Sequence, residues 1–396
     1  MAECCYVSFD IQAEIMKKLP VKSLIRCRLV SKSWKSLIDS FKFIADHSIN
    51  HKNWPNRLLV RYKSCDFEHV SIDDDDDDSF PEKKVIHTSI PMSDIFAGKP
   101  YNIIGISQGL FCFYNMFEST TTVIWNPSIR TSVAIEMPNM LYCSTDPVIG
   151  FGVCPRTSDV KLIRIKSYEI WKVEVFTLSS GTWTSFSTNW PNRIIVLKPE
   201  QVDLDRHIYW PAWEIDYLDD DDDDDDDAAR KKPPAWETVC GDKMRNTIIS
   251  FDVSAEKFTQ VYLPPKLTNP TNPTEPALCM SISKLADSLV VFLNTLEVEG
   301  QVCGVWMMEH DGVSRSFTKL FTIGPPDACI RRVLGFRKNG IPILEVEVEV
   351  KSNNGRNLSD IVAYYEPNFH LVMCGGIIRN MSFVSSYVET LLLLDQ

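Results

Sequence analysis

A strand–turn–strand unit recurs along most of this chain of 396 residues, and this repeat constrains the fold more than any other feature. In each copy an apolar run precedes a polar turn, and a β-branched or aromatic run follows it, which is the pattern of a β-hairpin. The turn centres fall near residues 65, 128, 180, 254, 311 and 367, so most spacings are about 50 to 60 residues. The repeat predicts an all-β body from about residue 57 onward.

The length of the repeat is informative about how the hairpins assemble. One copy leads from Val123–Trp125 into the turn Asn126–Thr131. A period near 50 residues with several strands per copy is typical of the blades of kelch-type β-propellers. Six hairpins predict roughly six blades. The alternative is a large β-sandwich or an irregular pair of sheets.

The first forty-odd residues carry a different pattern, with three short helices between closely spaced breakers. Ser8 stands at an N-cap position, and Pro20 ends the first helix. The residues at helical spacing are Ile11, Ile15 and Leu19, then Val21, Leu24, Ile25 and Leu29, and then, after a cap at Ser31, Trp34, Leu37, Ile38 and Phe41. Helices of two to three turns are unstable alone in water, so they must pack on their own domain or on a partner. The pattern leaves both possibilities open.

The segment LPVKSLIRCRLVSKSWKSLI, Leu19–Ile38, closely resembles the F-box of plant F-box proteins, and the resemblance spans roughly residues 7–46. An F-box binds a Skp-type adaptor, which links it to a cullin scaffold and a RING subunit. Carried over by position, the resemblance implies that the adaptor contact includes Leu19, Pro20, Val21, Leu24, Ile25 and Val30, with Trp34 supporting the third helix. The family normally opens with Leu-Pro where this chain has Val7-Ser8, which keeps open a second reading, a binding module that acts outside any ligase.

The β body also resembles a known region, the F-box-associated domain of plant F-box proteins. The matching segments include GISQGLFCFYN (Gly105–Asn115), VIWNPSIRT (Val123–Thr131), VEVFTLSSGTWTSF (Val173–Phe186) and the terminal YVETLLLLDQ. The two resemblances together imply a substrate-recruiting receptor of a Skp–cullin–F-box (SCF) ubiquitin ligase. The predicted fold is therefore an α+β multi-domain chain, with a three-helix F-box at 1–46, a linker at 47–56 and an all-β, propeller-like domain at 57–396.

The formal net charge of −12 is concentrated in two aspartate runs. Six aspartates occupy 73–78 and nine occupy 219–227, and without these fifteen residues the net charge is +3. Runs of like charge repel one another, which predicts solvated, disordered loops at 73–78 and 219–235. A calcium loop would need spaced ligands and a glycine turn, which an unbroken aspartate run lacks.

The search for chemical motifs favours a non-catalytic protein without cofactor or metal. The sequence has no nucleophile elbow, P-loop, Rossmann fingerprint or zinc helix, and its seven histidines lack ligand spacing. Dispersed basic residues argue against nucleic-acid binding, and no apolar run approaches membrane-spanning length. Twelve cysteines without a CxxC pair indicate a reducing compartment, the cytoplasm or the nucleus. A propeller enzyme with polar residues clustered in its channel is a third possibility.

The target of the β domain is not identifiable from the sequence beyond its being a protein. Tryptophan is a preferred anchor residue in protein interfaces. The candidates for binding the substrate are Trp190, Trp210, Trp213 and Trp236, which are predicted to lie in or beside loops that contain proline. The alternative for each is that it packs beneath its own loop.

Overall fold

A computed structural model represents the chain. The residues that it describes are 7–50, 57–63, 67–73, 84–85, 101–115, 121–138, 147–166, 171–187, 194–215, 244–268, 280–297, 300–310, 315–324, 329–337, 339–352, 355–365, 371–373 and 381–393. The chain divides into two compact units, one of residues 1–143, 153–160 and 382–396 and one of residues 144–152 and 161–381. The aspartate run at 219–227 and all but the first residue of the run at 73–78 lie outside the described residues.

The described N-terminal segment forms a helical module of four helices, where the sequence predicted three. They are α1 (Phe9–Met16), α2 (Val21–Cys27), α3 (Lys32–Ile38) and α4 (Phe41–Asn50). The pattern had put Phe41 on the third helix. The structure starts a new helix there because the Ser40 hydroxyl donates to the Leu37 carbonyl (2.6 Å) and accepts from the Phe43 amide (3.3 Å). Helix α4 extends past the predicted boundary at residue 46.

The rest of the described chain is almost entirely strand, as predicted. The first half contains β1 (Arg57–Lys63), β2 (Phe67–Asp73), β3 (Lys84–Val85), β4 (Tyr101–Ser107), β5 (Leu110–Asn115), β6 (Thr121–Asn126), β7 (Thr131–Glu136), β8 (Val148–Val153), β9 (Val160–Lys166), β10 (Lys172–Thr177), β11 (Thr182–Ser187), β12 (Ile194–Leu197), β13 (Val202–Leu204) and β14 (His207–Ile215). The second half contains β15 (Met244–Asp252), β16 (Lys257–Val261), the short helix α5 (Pro265–Thr268), β17 (Met280–Leu285), β18 (Ser288–Glu297), β19 (Gly300–His310), β20 (Arg315–Ile323), β21 (Cys329–Phe336), β22 (Pro342–Ser352), β23 (Gly355–Tyr365), β24 (Leu371–Met373) and β25 (Met381–Tyr387).

These strands form six sheets whose orders follow the chain. The orders are β25-β1-β2-β3, β4-β5-β6-β7, β8-β9-β10-β11, β12-β14-β15-β16 with β13 also beside β14, β17-β18-β19-β20, and β21-β22-β23-β24. Where the pairing register is described, neighbouring strands are antiparallel. In the first sheet a strand from the end of the chain therefore pairs with a strand from its beginning.

Burial falls from the early strands of a sheet toward the fourth. All six residues of β8 are buried, as are five of six in β5 and in β6. The fourth strands β7, β16 and β20 are mostly exposed or half-buried. Strands that are apolar along their whole length are covered on both faces, whereas the fourth strands are the outer edges of their sheets.

Three of the predicted turns are described, and each joins the third and fourth strands of its sheet. They connect β6 to β7, β10 to β11 and β15 to β16. The predicted turn centres at 311 and 367 lie outside the described residues, although the strands that flank them pair as expected. The hairpin near residue 65 is different, because it joins the second and third strands of its sheet. The pattern could not show that β25 takes the first position there.

The end of the chain is held by the turn between β6 and β7. The side-chain nitrogen of Asn126, Nδ2, donates to the carbonyl oxygens of Thr390 (3.0 Å) and Leu392 (2.7 Å). The Ser128 hydroxyl accepts from the Thr390 amide at 3.1 Å and lies 2.5 Å from the Tyr387 hydroxyl. Both side chains belong to the VIWNPSIRT segment. This turn therefore fixes the path of residues 388–393, which we call the C-terminal segment.

Gly109 allows the C-terminal segment to approach a second turn, the one between β4 and β5. Its φ is +78°, in the left-handed region that favours glycine. A Cβ added there would lie 2.1 Å from the carbonyl oxygen of Val388, too close for any side chain. Asn126 in the β6–β7 turn and Gly109 in the β4–β5 turn thus both allow close contact with the backbone of the C-terminal segment.

The C-terminal segment completes the core of the helical module. Leu391, between the two residues whose carbonyls Asn126 binds, is fully buried. The other buried members of this core are Met16, Val21, Leu24, Ile38 and Phe43, and Ile129 of the β6–β7 turn packs against it. The module therefore shares its core with residues that lie more than 80 positions away in the sequence.

Replacing Asn126 with aspartate tests the hold on the C-terminal segment. Asn126→Asp removes the donor from two buried carbonyls and puts a carboxylate against them. Unsatisfied buried groups cost about 1–3 kcal/mol each, so we expect a clear loss of stability and faster hydrogen exchange across residues 388–393. Asn339→Asp is the matched control, because Asn339 acts as an acceptor for the Ile341 amide (3.1 Å) and aspartate keeps that role. Equal effects of the two changes would contradict the assignment.

Truncating Leu391 tests whether the module depends on the far end of the chain. Burial is complete at this position, and Leu→Ala changes in cores cost about 2–5 kcal/mol. We expect Leu391→Ala to lower the free energy of opening of α2 and α3, measured by hydrogen exchange. Leu320→Ala, at a leucine that is 37% exposed on β20, should leave it within about 0.5 kcal/mol of the wild type. Unchanged exchange in both helices would show that the module folds independently.

Candidate protein-interaction site

The turn between α2 and α3 exposes two adjacent apolar side chains. Leu29 is 86% exposed and Val30 is 67% exposed, although the turn lies beside a well-packed core. Fully burying an aliphatic side chain of this size stabilises by about 1.5–3 kcal/mol. A partner that covers both residues would gain that free energy, so we call this pair the turn patch.

Helix α1 exposes a second apolar pair. Ile11 and Ile15, spaced i and i+4, are 55% and 54% exposed and lie on one face of the helix. Together with three charged residues they line a shallow depression of ≈ 280 Å³. The charged residues are Asp10, Glu14 and Lys18. We call this pair the α1 patch. Apolar side chains surrounded by polar ones are typical of a surface that a protein partner covers.

Charge-assisted hydrogen bonds hold the turn patch in place. Arg28, which precedes it, donates from Nε and Nη2 to the two carboxylate oxygens of Asp39 at 2.5 and 2.8 Å. Such two-point pairing fixes geometry as well as adding stability. On the other side, Ser31 caps α3 by accepting from the Trp34 amide at 3.1 Å. The exposed residues therefore lie on a turn that is anchored at both ends.

Helix α1 is tied to α3 and to α4. The Trp34 indole N–H donates to the Gln12 side-chain oxygen at 2.8 Å. Lys17 contacts Glu14 at 2.8 Å and Asp46 at 2.9 Å, and these hydrogen bonds raise the pKa of its ammonium group. The buried His47 ring places Nε2 2.9 Å from the Leu19 carbonyl oxygen. These contacts set the orientation of the α1 patch.

The structure places the predicted adaptor-binding residues in three environments. Val30 is exposed. Val21 and Leu24 are fully buried in the core of the module, because their helix turns that face inward. The half-buried residues are Leu19, Pro20, Ile25 and Trp34. Which of them contact an adaptor stays a prediction.

Three of the exposed residues were not among the predicted contacts. Ile11, Ile15 and Leu29 had been assigned to helix faces, where the pattern favours burial. Helical spacing alone does not distinguish a face that packs on the module from a face that a partner covers. Clustered exposed apolar residues of this kind indicate a partner.

Two of the four tryptophan candidates lie within the residues that the structure describes. Trp190 and Trp236 lie outside them. Trp210 and Trp213 lie within strand β14, whereas the sequence had put them in or beside loops. Trp210 is fully buried against Gly150, where a Cβ would come within 2.4 Å of its ring. Trp213 is half-buried, with the Lys198 ammonium 4.6 Å from its ring centroid. Trp210 is thus a core residue, whereas Trp213 keeps part of its surface exposed, and substrate binding by it stays a prediction.

The described residues offer little for metal or thiol chemistry. Within the described ranges, no group of three or more His, Cys, Asp or Glu side chains could hold a metal ion. Burial raises the pKa of the Cys303 thiol to about 12 and that of Cys112 well above its usual value, so both stay protonated. None of the helices in the described part of the chain is long and apolar enough to cross a membrane.

Comparison with solved structures gives only distant similarity. A post-proline cleaving enzyme from Rickettsia typhi matches with a TM-score of 0.40 and 10% identity, covering 95% of this chain and 60% of that one. TolB from Acinetobacter baumannii matches with a TM-score of 0.40 and 9% identity, covering 88% and 73%. At these TM-scores the matches support no conclusion about activity.

Curated relatives from Arabidopsis thaliana are more informative. F-box protein CPR1 is 25% identical over 336 residues, which cover 81% of this chain and 73% of the relative. An F-box/kelch-repeat protein is 22% identical, over 79% of this chain and 78% of the relative. F-box/WD-40 repeat-containing protein 1 is 24% identical, over 86% of this chain and 74% of the relative. The alignments thus span most of each protein.

Two family profiles match the chain and together cover nearly all of it. The F-box domain matches residues 8–46, and the F-box associated beta propeller domain matches residues 59–391. Proteins with this pair of domains serve in general as substrate adaptors of SCF ubiquitin ligases. The helical module is thus the F-box, and the chain belongs to the family of F-box proteins that carry an F-box associated β-propeller domain.

Proposed function

We propose that this chain is the substrate-recognition subunit of an SCF ubiquitin ligase and recruits a target protein for ubiquitination and proteasomal degradation. The observation that carries the proposal is the turn patch. Leu29 and Val30 are the two most exposed large apolar residues of the F-box that the structure describes, and both fall within the segment that matches the family. Their exposure is what an adaptor-binding surface requires.

The α1 patch extends the proposed adaptor contact. Ile11 and Ile15 are apolar, solvent-exposed and carried by a helix whose orientation is fixed through Lys17 and Trp34. A preorganised surface loses little conformational entropy on binding, which favours affinity. The Skp-type adaptor would in turn connect the chain to the cullin and RING subunits.

In this proposal the chain has no catalytic residue and contributes proximity. The thioester and isopeptide chemistry belongs to other subunits of the ligase. Holding a target lysine beside a charged ubiquitin carrier converts a bimolecular encounter into an effectively unimolecular one, which accelerates transfer without an active site on this chain. Its place of action would be the cytoplasm or the nucleus.

We also propose that the six sheets are the blades of a six-bladed propeller. Two observations support this. The sheets follow one another along the chain, and their early strands are buried on both faces while the fourth strands are exposed. In addition, β25 and β1 share a sheet, so hydrogen bonds between the two ends of the chain would close a ring of blades.

Charged substitutions in the turn patch test the proposed adaptor contact. Leu29→Glu and Val30→Glu place a carboxylate at exposed positions, so the fold should be retained. Each would bring an unpaired charge into the adaptor interface, and we expect at least about a tenfold loss of affinity for a Skp-type adaptor by titration calorimetry. Tyr262→Glu, at a residue that is 80% exposed outside the F-box, is the control and should bind like the wild type.

Two outcomes of this titration would count against the proposal. Full affinity in both Leu29→Glu and Val30→Glu would remove the turn patch from the contact. A folded wild type that does not bind the adaptor at all would favour a recognition module acting outside a ligase, in which Val7-Ser8 in place of Leu-Pro has disabled the F-box.

A further inference from the structure

A cavity of ≈ 690 Å³ opens among the turns of two adjacent sheets in the second unit. Its walls come from the turns that join β13 to β14 and β17 to β18, and from the ends of β19 and β20 that face each other. Leu204, Leu289 and Met308 supply buried apolar side chains to its lining. The volume falls within the usual range of ligand-binding pockets, about 300–1,000 Å³.

Tyr209 gives the cavity a hydrogen-bond donor. The residue as a whole is only 4% exposed and lines the cavity, and its hydroxyl makes no hydrogen bond with any residue that the structure describes. Burial raises the pKa of this phenol, so it stays protonated and can donate. A ligand whose acceptor atom enters the cavity could therefore take a hydrogen bond from this hydroxyl.

Arg315 supplies a positive charge at the same place. Its guanidinium forms no ion pair with the residues of the described ranges. At Tyr209 burial raises the pKa and the charge of Arg315 offsets part of that rise, and at His207 burial lowers the pKa and Arg315 lowers it further. Arg206, the other cavity arginine, is engaged, because its Nε lies 3.1 Å from a carboxylate oxygen of Asp252. Burial lowers the pKa of His207, so the imidazole adds no charge near neutral pH. The positive charge available to a ligand is therefore that of Arg315.

The rim of the cavity has the opposite sign. Asp205, Asp287 and Glu309 are exposed lining residues, and none is in an ion pair with a residue that the structure describes. Three carboxylates around one free guanidinium disfavour a dianion such as a phosphoester. They repel a ligand with a single carboxylate less than a dianion, and they attract basic residues that lie beside that carboxylate in the ligand.

We infer that this cavity binds a segment of the target protein through an aspartate or glutamate side chain. The carboxylate accepts hydrogen bonds from the Arg315 guanidinium and the Tyr209 hydroxyl. Basic residues that flank the acidic one pair with the rim. The inference deepens the proposed function, because it assigns the class of substrate segment that the ligase subunit recognises.

A peptide library tests the inference on the intact protein. The full chain, purified with a Skp-type adaptor, is screened against a displayed library of random dodecapeptides. We expect the recovered peptides to share an acidic residue with basic residues beside it. One recovered peptide is then synthesised in three forms, with the acidic residue, the matching amide residue or phosphoserine at the same position. The acid form should bind at least about tenfold more tightly than the amide form.

Variants of the cavity provide the decisive comparison. Arg315→Gln should abolish the preference for the acid peptide over the amide peptide. Tyr209→Phe should lower the affinity for the acid peptide several-fold. Arg156→Gln, at an exposed arginine that does not line the cavity, should change neither. Three results would each overturn the inference. They are recovered peptides that share no acidic residue, tighter binding of the phosphoserine peptide than of the acid peptide, and an Arg315→Gln variant that still prefers the acid peptide over the amide peptide. Adaptor binding, measured on the same variants, separates these failures from a failure of the proposed function.

Discussion

The hydrogen bonds of Asn126 to the C-terminal segment are the interaction on which the arrangement of the F-box depends. One side-chain amide satisfies the Thr390 and Leu392 carbonyls, and the residue between them fills the core of the helical module. Through this contact the first forty residues, the β6–β7 turn and the end of the chain become parts of one packed structure.

The same contact explains why the module can expose so much apolar surface. Short helices need tertiary packing to be stable, and here Leu391 supplies part of it. The core is completed from within the chain, and Ile11, Ile15, Leu29 and Val30 stay at the surface. Bidentate pairing of Arg28 with Asp39 then holds the exposed turn in one conformation. The residues that form the core thus differ from those of the proposed adaptor surface.

The local sequence pattern predicted most helices and hairpins, but it could not predict contacts between residues that are far apart in the sequence. Spacing identified the short helices and the hairpins at Asn126–Thr131, Leu178–Gly181 and Val253–Glu256, because these depend on nearby residues. It could not reveal that β25 pairs with β1 or that Leu391 enters the helical core. Of the residues that the family resemblance placed at or near the adaptor contact, Val30 is exposed and Val21 and Leu24 are buried in the core, and their part in adaptor binding stays a prediction. The cavity around Tyr209 was missed because its lining comes from separate turns.

Hydrogen exchange of the full chain with and without a Skp-type adaptor tests the central claim most directly. It reports on every helix of the F-box in the unmodified protein and on the C-terminal segment at the same time. The account predicts a stable complex in which α1, α2 and the Leu29–Val30 turn gain protection while residues 388–393, already protected, change little. A complex that leaves these parts of the F-box unprotected, or a folded chain that forms no complex, would contradict it.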